Sequence, residues 1–598
     1  MSARVVRIGG ASGAWGDSPM AIGQLLQEPV DYLMMDYLAE VTMSLLARTR
    51  LKNPDAGYPP DLVHYLAPHL ATLAQRGIKV VTNGGGVNPL AAKAALEQAC
   101  RQAGVNLTIA VVLGDDLMPR QAELRAAGVR EAVSGATLPD TLLTANAYLG
   151  ALPIAAALRA GADIVLTGRC ADSALALGIL MHEFGWKATD YDALAAGSLV
   201  GHILECGPQA TGGVFTDWHD VPDWDAIGYP LAECQADGSF VLTKPAATGG
   251  RVCPRTVAEQ VLYEVGDPAA YILPDVVADF SQVRLAQDGP DRVRVWGARG
   301  RAPTPQYKVS ATYIDGYRAV ALVAIVGHDA VPKGERTAAA LLARARRHFQ
   351  MRGLPDFTAT HVEILGAEAS YGRQSRARHS REVVVRIVAD HADAKALELM
   401  AREVGSIGLS FAQGTAGLIG GRPKPTPLIR LFTFFIDKDA MPAPTVQVGD
   451  QASVAVPPLP GQVLVTPQGA VATAPAAVPL DGPTVTVPLR RLAHARSGDK
   501  GDSSNIAILC RQPQYYAWLC HHLTPERMAA WFADGVHGAV RRFEAPGIQG
   551  LNFVMDQALG GGGMASARID AQGKAYGQRA LEMPIAVPAA WEADLEAV

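Results

Sequence analysis

Through the first two hundred residues, short apolar runs rich in Val, Ile and Leu alternate with longer stretches whose apolar positions recur at helical spacing. That alternation is the mark of an α/β domain with a largely parallel sheet, here read as a Rossmann-like region. Arg4 to Ile8 reads as the first strand, Val30 to Met35 as the second and Ile78 to Thr82 as the third. Leu107 to Leu113 and Asp163 to Thr167 are the fourth and fifth. Helices are expected from Met20 to Gln27, from Glu40 onward, through about Arg101, and in the Ala/Leu-rich stretch that follows Ser173. Asp17 or Ser18 can cap the first of these, and Pro19 fits its first turn.

Beyond residue 200 the pattern loosens into strand and turn signals, then resumes as α+β over about 305 to 435. Strands are predicted near Tyr307–Ile314 and Glu382–Val388, a helix near Thr337–Arg347, and a Gly-rich passage from Gly405 to Gly421. Residues 1–440 are therefore read as one α/β region, divisible into lobes at 1–200 and 201–440. From 441 to 484 the chain turns to Pro, Val, Ala and Gly with almost no charge, an extended linker with room for a strand or two. Residues 485–598 form a compact α+β segment, with strands near Val485–Ala493, Asn505–Leu509, Ile548–Met555 and Ala565–Ile569 and a helix over Pro525–Phe532.

Composition narrows the partners. With 598 residues, 49% of them hydrophobic, the chain can bury more than one core, and about two to four domains are expected. Its 53 Lys and Arg against 58 Asp and Glu leave a net charge of −5, without a long basic run, so nucleic acid and anionic membrane are not expected as partners. Small molecules are the default ligands. The 7 cysteines are scattered and form no CxxC, which argues against a disulfide framework or a closed zinc site and suits a reducing cytoplasm. The chain shows no signal-peptide pattern at its start and no apolar run of membrane-spanning length. A cytoplasmic protein is the expectation, with an even-numbered homo-oligomer as the base-rate assembly.

In parallel sheets ligands lie beyond the carboxyl ends of the strands, where loops converge and helix N-termini point their free N–H groups. The glycine blocks fall there. Gly9 to Ser18 carries glycines at 9, 10, 13 and 16 between a strand and a helix, but not with dinucleotide spacing. A phosphate or carboxylate held by its N–H groups and a merely tight turn are both open readings. Asp17, Ser18, Asp36, Asp115, Asp116, Asp172 and Ser173 also sit at strand ends or helix starts. Such carboxylates serve as general bases, hold a hard cation, or cap helices. Arg169 places a fork-shaped anion donor beside Asp172 and Ser173. Glu205 and Gln209 are candidates for polar groups facing a cleft, whereas Cys206 reads as a small core residue, and His202, His219 and His328 lack zinc-site spacing.

The densest local cluster of polar groups is His494-Ala-Arg-Ser-Gly-Asp-Lys-Gly-Asp-Ser-Ser-Asn505, expected as a loop between two strands. Core packing gives no reason to interleave Arg496, Asp499, Lys500 and Asp502 with two glycines. An anionic ligand or docking onto the large domain does, and a solvated hairpin is the plain alternative. Gly560 to Gly563 is a candidate for the matching turn.

Five strings, Gly9-Gly-Ala-Ser-Gly-Ala-Trp-Gly-Asp-Ser18, Asp31-Tyr-Leu with Asp36-Tyr-Leu-Ala-Glu40, Thr82-Asn-Gly-Gly-Gly86, Glu205-Cys-Gly-Pro-Gln-Ala-Thr-Gly-Gly213 and Glu264 through Asp279, resemble the acyclic terpene utilisation protein A (AtuA) family. His494 to Asn505 resembles the start of that family's C-terminal ferredoxin-fold domain. The resemblance implies work alongside acyl-CoA carboxylases and enoyl-CoA enzymes in the breakdown of branched or isoprenoid acids. It supplies no catalytic residue by role.

The resulting expectation is an enzyme acting on an acyl-CoA or related carboxylated intermediate, by hydration/dehydration or carbon–carbon lyase chemistry. By residue type and position, Asp17, Asp36, Asp172 and Glu205 are assigned to proton transfer, with Ser18 and Arg169 stabilising an enolate. Gly10, Gly13, Asn83, Gly84, Gly85, Gly86, Ser173, Gln209, Arg496, Asp499, Lys500 and Asn505 are assigned to substrate binding. CoA enters as part of the substrate, and no metal ligand is assigned, although a divalent metal is compatible. The alternatives are a non-catalytic acyl-CoA-binding or carboxylase-associated protein and, more weakly, a metal-assisted hydrolase using the acidic strand ends.

Overall fold

A computed structural model describes residues 4–464, 482–563 and 565–595. Five parallel strands form the centre of its largest sheet: β1 (Val6–Ser12), β2 (Tyr32–Met35), β3 (Lys79–Thr82), β4 (Ile109–Leu113) and β6 (Ile164–Thr167), while β5 (Thr144–Ala147) joins another sheet. Their order in space is β1-β2-β3-β6-β4. Leu33, Val80, Val81, Val165 and Leu166 are fully buried, because helices cover both faces, and this is why these strands read as continuous apolar runs. The helix Ala174–Phe184 buries every residue from Ala174 to Met181, packed between two helices and the strands.

The expected mixed α/β architecture is present, but parallel pairing is confined to these five strands and the sheet as a whole is mixed. On its far side β1 meets Leu231–Cys234, antiparallel, followed outward by Phe240–Thr243, Val293–Trp296 and Arg284–Gln287. A direct turn at residues 235–239 joins the first two of these, and so short a connection permits only antiparallel pairing. On the other side Thr445–Val448 pairs antiparallel with β4, so part of the 441–484 segment is sheet. Residues 465–481 of that segment lie outside the described residues.

A second sheet is organised by one strand, Gln306–Val326, more than twice as long as the predicted Tyr307–Ile314. Its first half pairs with β5 and Thr426–Asp437, its second with Glu382–His391 and Thr415–Ile419. Strands from both sides of residue 200 thus enter both large sheets.

The small domain has a four-stranded antiparallel sheet ordered Ala493–Lys500, Ser503–Cys510, Gly550–Met555, Val540–Ala545. Trp518, from the helix Gln514–His522, and Phe532, just past the helix Pro525–Trp531, fill its core with Phe553. Two expectations fail. Residues 565–569 form no strand, and 494–505 is a strand, turn and strand rather than a loop. The reason is docking. In the strand Ser503–Cys510, Ile506 and Ile508 face the small core while Ala507 and Leu509 join the core of the large domain, so both faces are dry. Among the described residues no helix is long and apolar enough to cross a membrane.

Candidate active site

The carboxyl ends of the parallel strands gather the acidic groups. Asp36 follows β2, Asp172 lies in the loop after β6, and Glu205 ends the helix Tyr191–Leu204. One oxygen from each lies within 4.8 Å of the others. Asn83, just past β3, donates from Nδ2 to Asp36 Oδ1 at 2.6 Å, and the N–H of Leu38 donates to the same oxygen at 3.1 Å. His202 stands one helical turn before Glu205, with Nδ1 3.1 Å from Glu205 Oε1. Burial, and then the neighbouring Asp172 charge, push the Asp36 carboxyl well above the ordinary carboxylate range. Asp172 is also raised, by burial against the opposing pull of Arg169. Two like-charged acids so close cannot both ionise freely.

Facing them is a cationic wall. Arg169, almost fully buried, donates from Nη1 to Asp172 Oδ1 at 3.0 Å and to the Leu38 carbonyl, and its guanidinium lies 4.3 Å from the centre of the Tyr148 ring. The Lys308 ammonium is 4.7 Å from the same ring and 3.4 Å from Glu40, while the Tyr148 hydroxyl donates to Glu40 at 2.6 Å. Burial alone would raise the Glu40 carboxyl, but Lys308, Arg169 and Lys500 hold it well below the usual range. Arg169 owes its position to Asp115, raised to about 6 by burial, which accepts the Arg169 N–H at 2.8 Å and is braced by Asn146 at 2.8 Å.

The small domain closes the cleft. Lys500 pairs with Glu264 at 2.9 Å, and its charge also acts on Glu40 and Asp172. Lys574 pairs with the other Glu264 oxygen at 3.1 Å and lies 3.5 Å from Asp499, which burial and Glu264 raise to about 6. Asn505 donates to the Leu262 carbonyl at 2.9 Å and accepts the Glu264 N–H at 3.1 Å. Arg496 donates to Gln209 and to the Val214 carbonyl and covers the Tyr263 ring at 4.6 Å. The hairpin turn is fixed by Asp502, which accepts the Leu559 and Gly561 N–H groups, and Gly562 passes directly against Gly501.

Of the residues singled out in the sequence, Asp36, Asn83, Arg169, Asp172, Glu205 and Lys500 converge on one cleft. Asp17 and Ser18 do not join that carboxylate group. The Asp17 carboxylate accepts the Gly13 and Ser18 N–H groups and the Tyr229 hydroxyl, while Ser18 Oγ accepts the Met20 N–H. Gly13, Asp17 and Gln209 line a separate open pocket of about 320 Å³, while the side-chain positions of most of the predicted glycines are occupied by the protein itself. A Cβ at Gly10 would lie 2.8 Å from the Leu204 carbonyl, at Gly13 2.7 Å from Cys206, and at Gly85 and Gly86 2.5 Å from the Thr167 and Gly57 carbonyls. Gly84 is similarly hemmed in by Leu62 and Tyr37, and Ser173 is buried under Gly201. Glu40, Tyr148, Lys308 and His202 were missed as site residues. Glu40 follows Asp36 by four positions, a spacing that was visible; Tyr148 and Lys308 meet only because β5 pairs with the long strand.

The Asp36, Asp172 and Glu205 oxygens could together hold a hard divalent cation, and the cations opposite could take a carboxylate or an enolate. The chain matches the model of the acyclic terpene utilisation family protein AtuA over residues 6–447 and that of the AtuA ferredoxin-like domain over residues 487–586. No curated protein and no solved structure matches it.

Proposed function

We propose, from the premise that the chain belongs to the AtuA family of acyclic terpene utilisation proteins, that the cleft between its large and small domains is a lyase site. The substrate class is an acyl-CoA, or a related carboxylated intermediate, of branched or isoprenoid acid breakdown. The reaction is hydration/dehydration or carbon–carbon cleavage. The observation that carries this is the opposition of three converging carboxylates to Arg169, Lys308 and Lys500. Both reaction types move a proton beside a thioester carbonyl and build negative charge on its oxygen. A carboxylate raised towards neutrality, such as Asp172, matches the first need, and the cationic wall matches the second. Glu205, oriented by His202, is suited to the second proton transfer, at the departing or entering oxygen.

The test is mass detection of turnover of branched enoyl-CoA and 3-hydroxyacyl-CoA esters by the full-length protein. Asp172→Asn and Glu205→Gln are each expected to lower kcat by roughly 10²–10⁴-fold with the circular dichroism spectrum unchanged. If no ester changes while CoA esters still raise the melting temperature, the non-catalytic acyl-CoA-binding reading replaces this one. The convergence of the carboxylates also favours a metal-assisted variant, tested by metal analysis and by loss of turnover in chelator. An acyl-CoA carboxylase neighbour and an even-numbered homo-oligomer are part of the proposal, to be checked by co-purification and by light scattering.

A further inference from the structure

A second cavity, of about 720 Å³, lies away from the cleft, between the helix Ala330–Arg352 and strand Ala359–Leu365 of the large domain and the far side of the small domain. Its lining shares no residue with the carboxylate cleft. One wall is apolar, built by Ala338, Leu342, Ile364 and Ala367. The small domain contributes Arg568 and Arg579 to the opposite wall.

Arg579 is the informative residue. It is only 6% exposed, it stacks 4.9 Å from the Phe532 ring and 5.3 Å from the Tyr576 ring, and its Nε has no hydrogen-bond partner among the described residues. A buried guanidinium without a carboxylate bonded to it is costly unless something neutralises it. The acids around the cavity hydrogen-bond other groups, Glu368 through the Arg376 N–H, and Asp534 and Asp570 reach Arg579 only by charge through space. Asp534 takes Arg373, Glu363 takes Arg386, and Glu335 takes Arg378. Asp570 accepts the backbone N–H groups of Lys574 and Ala575. Arg568 donates to the carbonyls of Ala558 and Gly535 and to the Tyr576 hydroxyl, but to no carboxylate. Two guanidinium groups therefore face the cavity without an acidic hydrogen-bond partner.

We infer that this cavity binds an amphipathic organic anion, a carboxylate on an apolar body, with its charge on Arg579 and Arg568 and its body against Leu342 and Ile364. The size falls in the usual range for small-molecule sites, about 300–1,000 Å³. A single negative charge fits better than a phosphate dianion, because Asp534 and Asp570 already act on Arg579. Because the walls come from two domains, an occupant holds them together.

The test is isothermal titration and thermal unfolding of the full-length protein with sodium octanoate, 1-octanol and sodium phosphate. Octanoate is expected to bind at one saturable site and raise the melting temperature, and octanol and phosphate to bind at least tenfold more weakly. Arg579→Met is expected to weaken octanoate at least tenfold. Ala339→Phe, on an exposed position at the cavity edge, is expected to do the same by filling the apolar wall, and it keeps the test open should Arg579→Met fail to fold. Asp172→Asn, in the other cleft, is expected to leave octanoate binding unchanged. Absent octanoate binding, equal binding of octanol or phosphate, indifference to Ala339→Phe, or loss in Asp172→Asn each overturns the inference.

Discussion

Raising the pH from 6 to 9 is expected to loosen the small domain, and the cause can be traced to one carboxyl. Glu259, on the helix Pro254–Val261, is only 2% exposed and sits at the seam that holds the strand Ala493–Lys500. Its Oε1 accepts the Thr216 N–H at 3.2 Å, and Thr216 Oγ1 in turn bonds both backbone groups of Ala495 at 3.1 Å. The nearest imidazole, His494, is 3.8 Å away and cannot compensate it, because burial and Arg511 push that ring down to about 3. Burial raises the Glu259 carboxyl from 4.5 to about 8. The folded state therefore binds a proton that the unfolded state has released between those values, so stability is full below pH 4.5 and falls as the pH rises through 8. At ~1.4 kcal/mol per pH unit the whole loss approaches ~5 kcal/mol as an upper value, of which ~3 kcal/mol falls between pH 6 and pH 9. Glu259→Gln keeps the shape and removes the titration. Urea unfolding at pH 6 and pH 9, followed by fluorescence of the buried Trp518, is expected to show a larger alkaline loss in the parent than in the variant. The same loss in both would refute the reasoning. Undocking also withdraws Lys500 from the cleft, so turnover should fall over the same pH range.

Three further outcomes are expected. Lys500→Met, at a half-exposed side chain, should leave the melting temperature in place but weaken acyl-CoA binding roughly ten- to hundredfold by titration, the worth of one charge-assisted hydrogen bond. Arg511→Met breaks a buried two-pronged contact with Asp217 at 2.7 and 2.6 Å, and at about 3–5 kcal/mol should split the calorimetric transition as the small domain melts first. Gly85→Ala puts a Cβ 2.5 Å from the Thr167 carbonyl and should cost ~1–3 kcal/mol, seen as a lower melting temperature.

The strand positions of the first half were legible because buried parallel strands must be apolar throughout, whatever surrounds them, and their carboxyl ends carried Asp36, Asn83, Arg169 and Asp172 with them. The glycine blocks were legible as special backbone but not as to cause. At Gly13 and Gly85 the close neighbour is another stretch of the same chain, a fact with no local signature. The direction of the strands beside β1 was equally hidden, since an apolar run does not say which way its neighbour runs.

Sequence alone determined the family, the α/β character, the small C-terminal domain and most of the acidic side of the cleft, all features set by local pattern or by contiguous strings. Only the tertiary structure decided which charges meet. Tyr148 and Lys308 face Glu40 through a pairing of strands some 160 positions apart, and Lys500 reaches the same cleft because 494–505 became a buried hairpin docked on residues 262–266. Electrostatics acts through space over a few ångströms, and spacing along the chain encodes such distances only within one element.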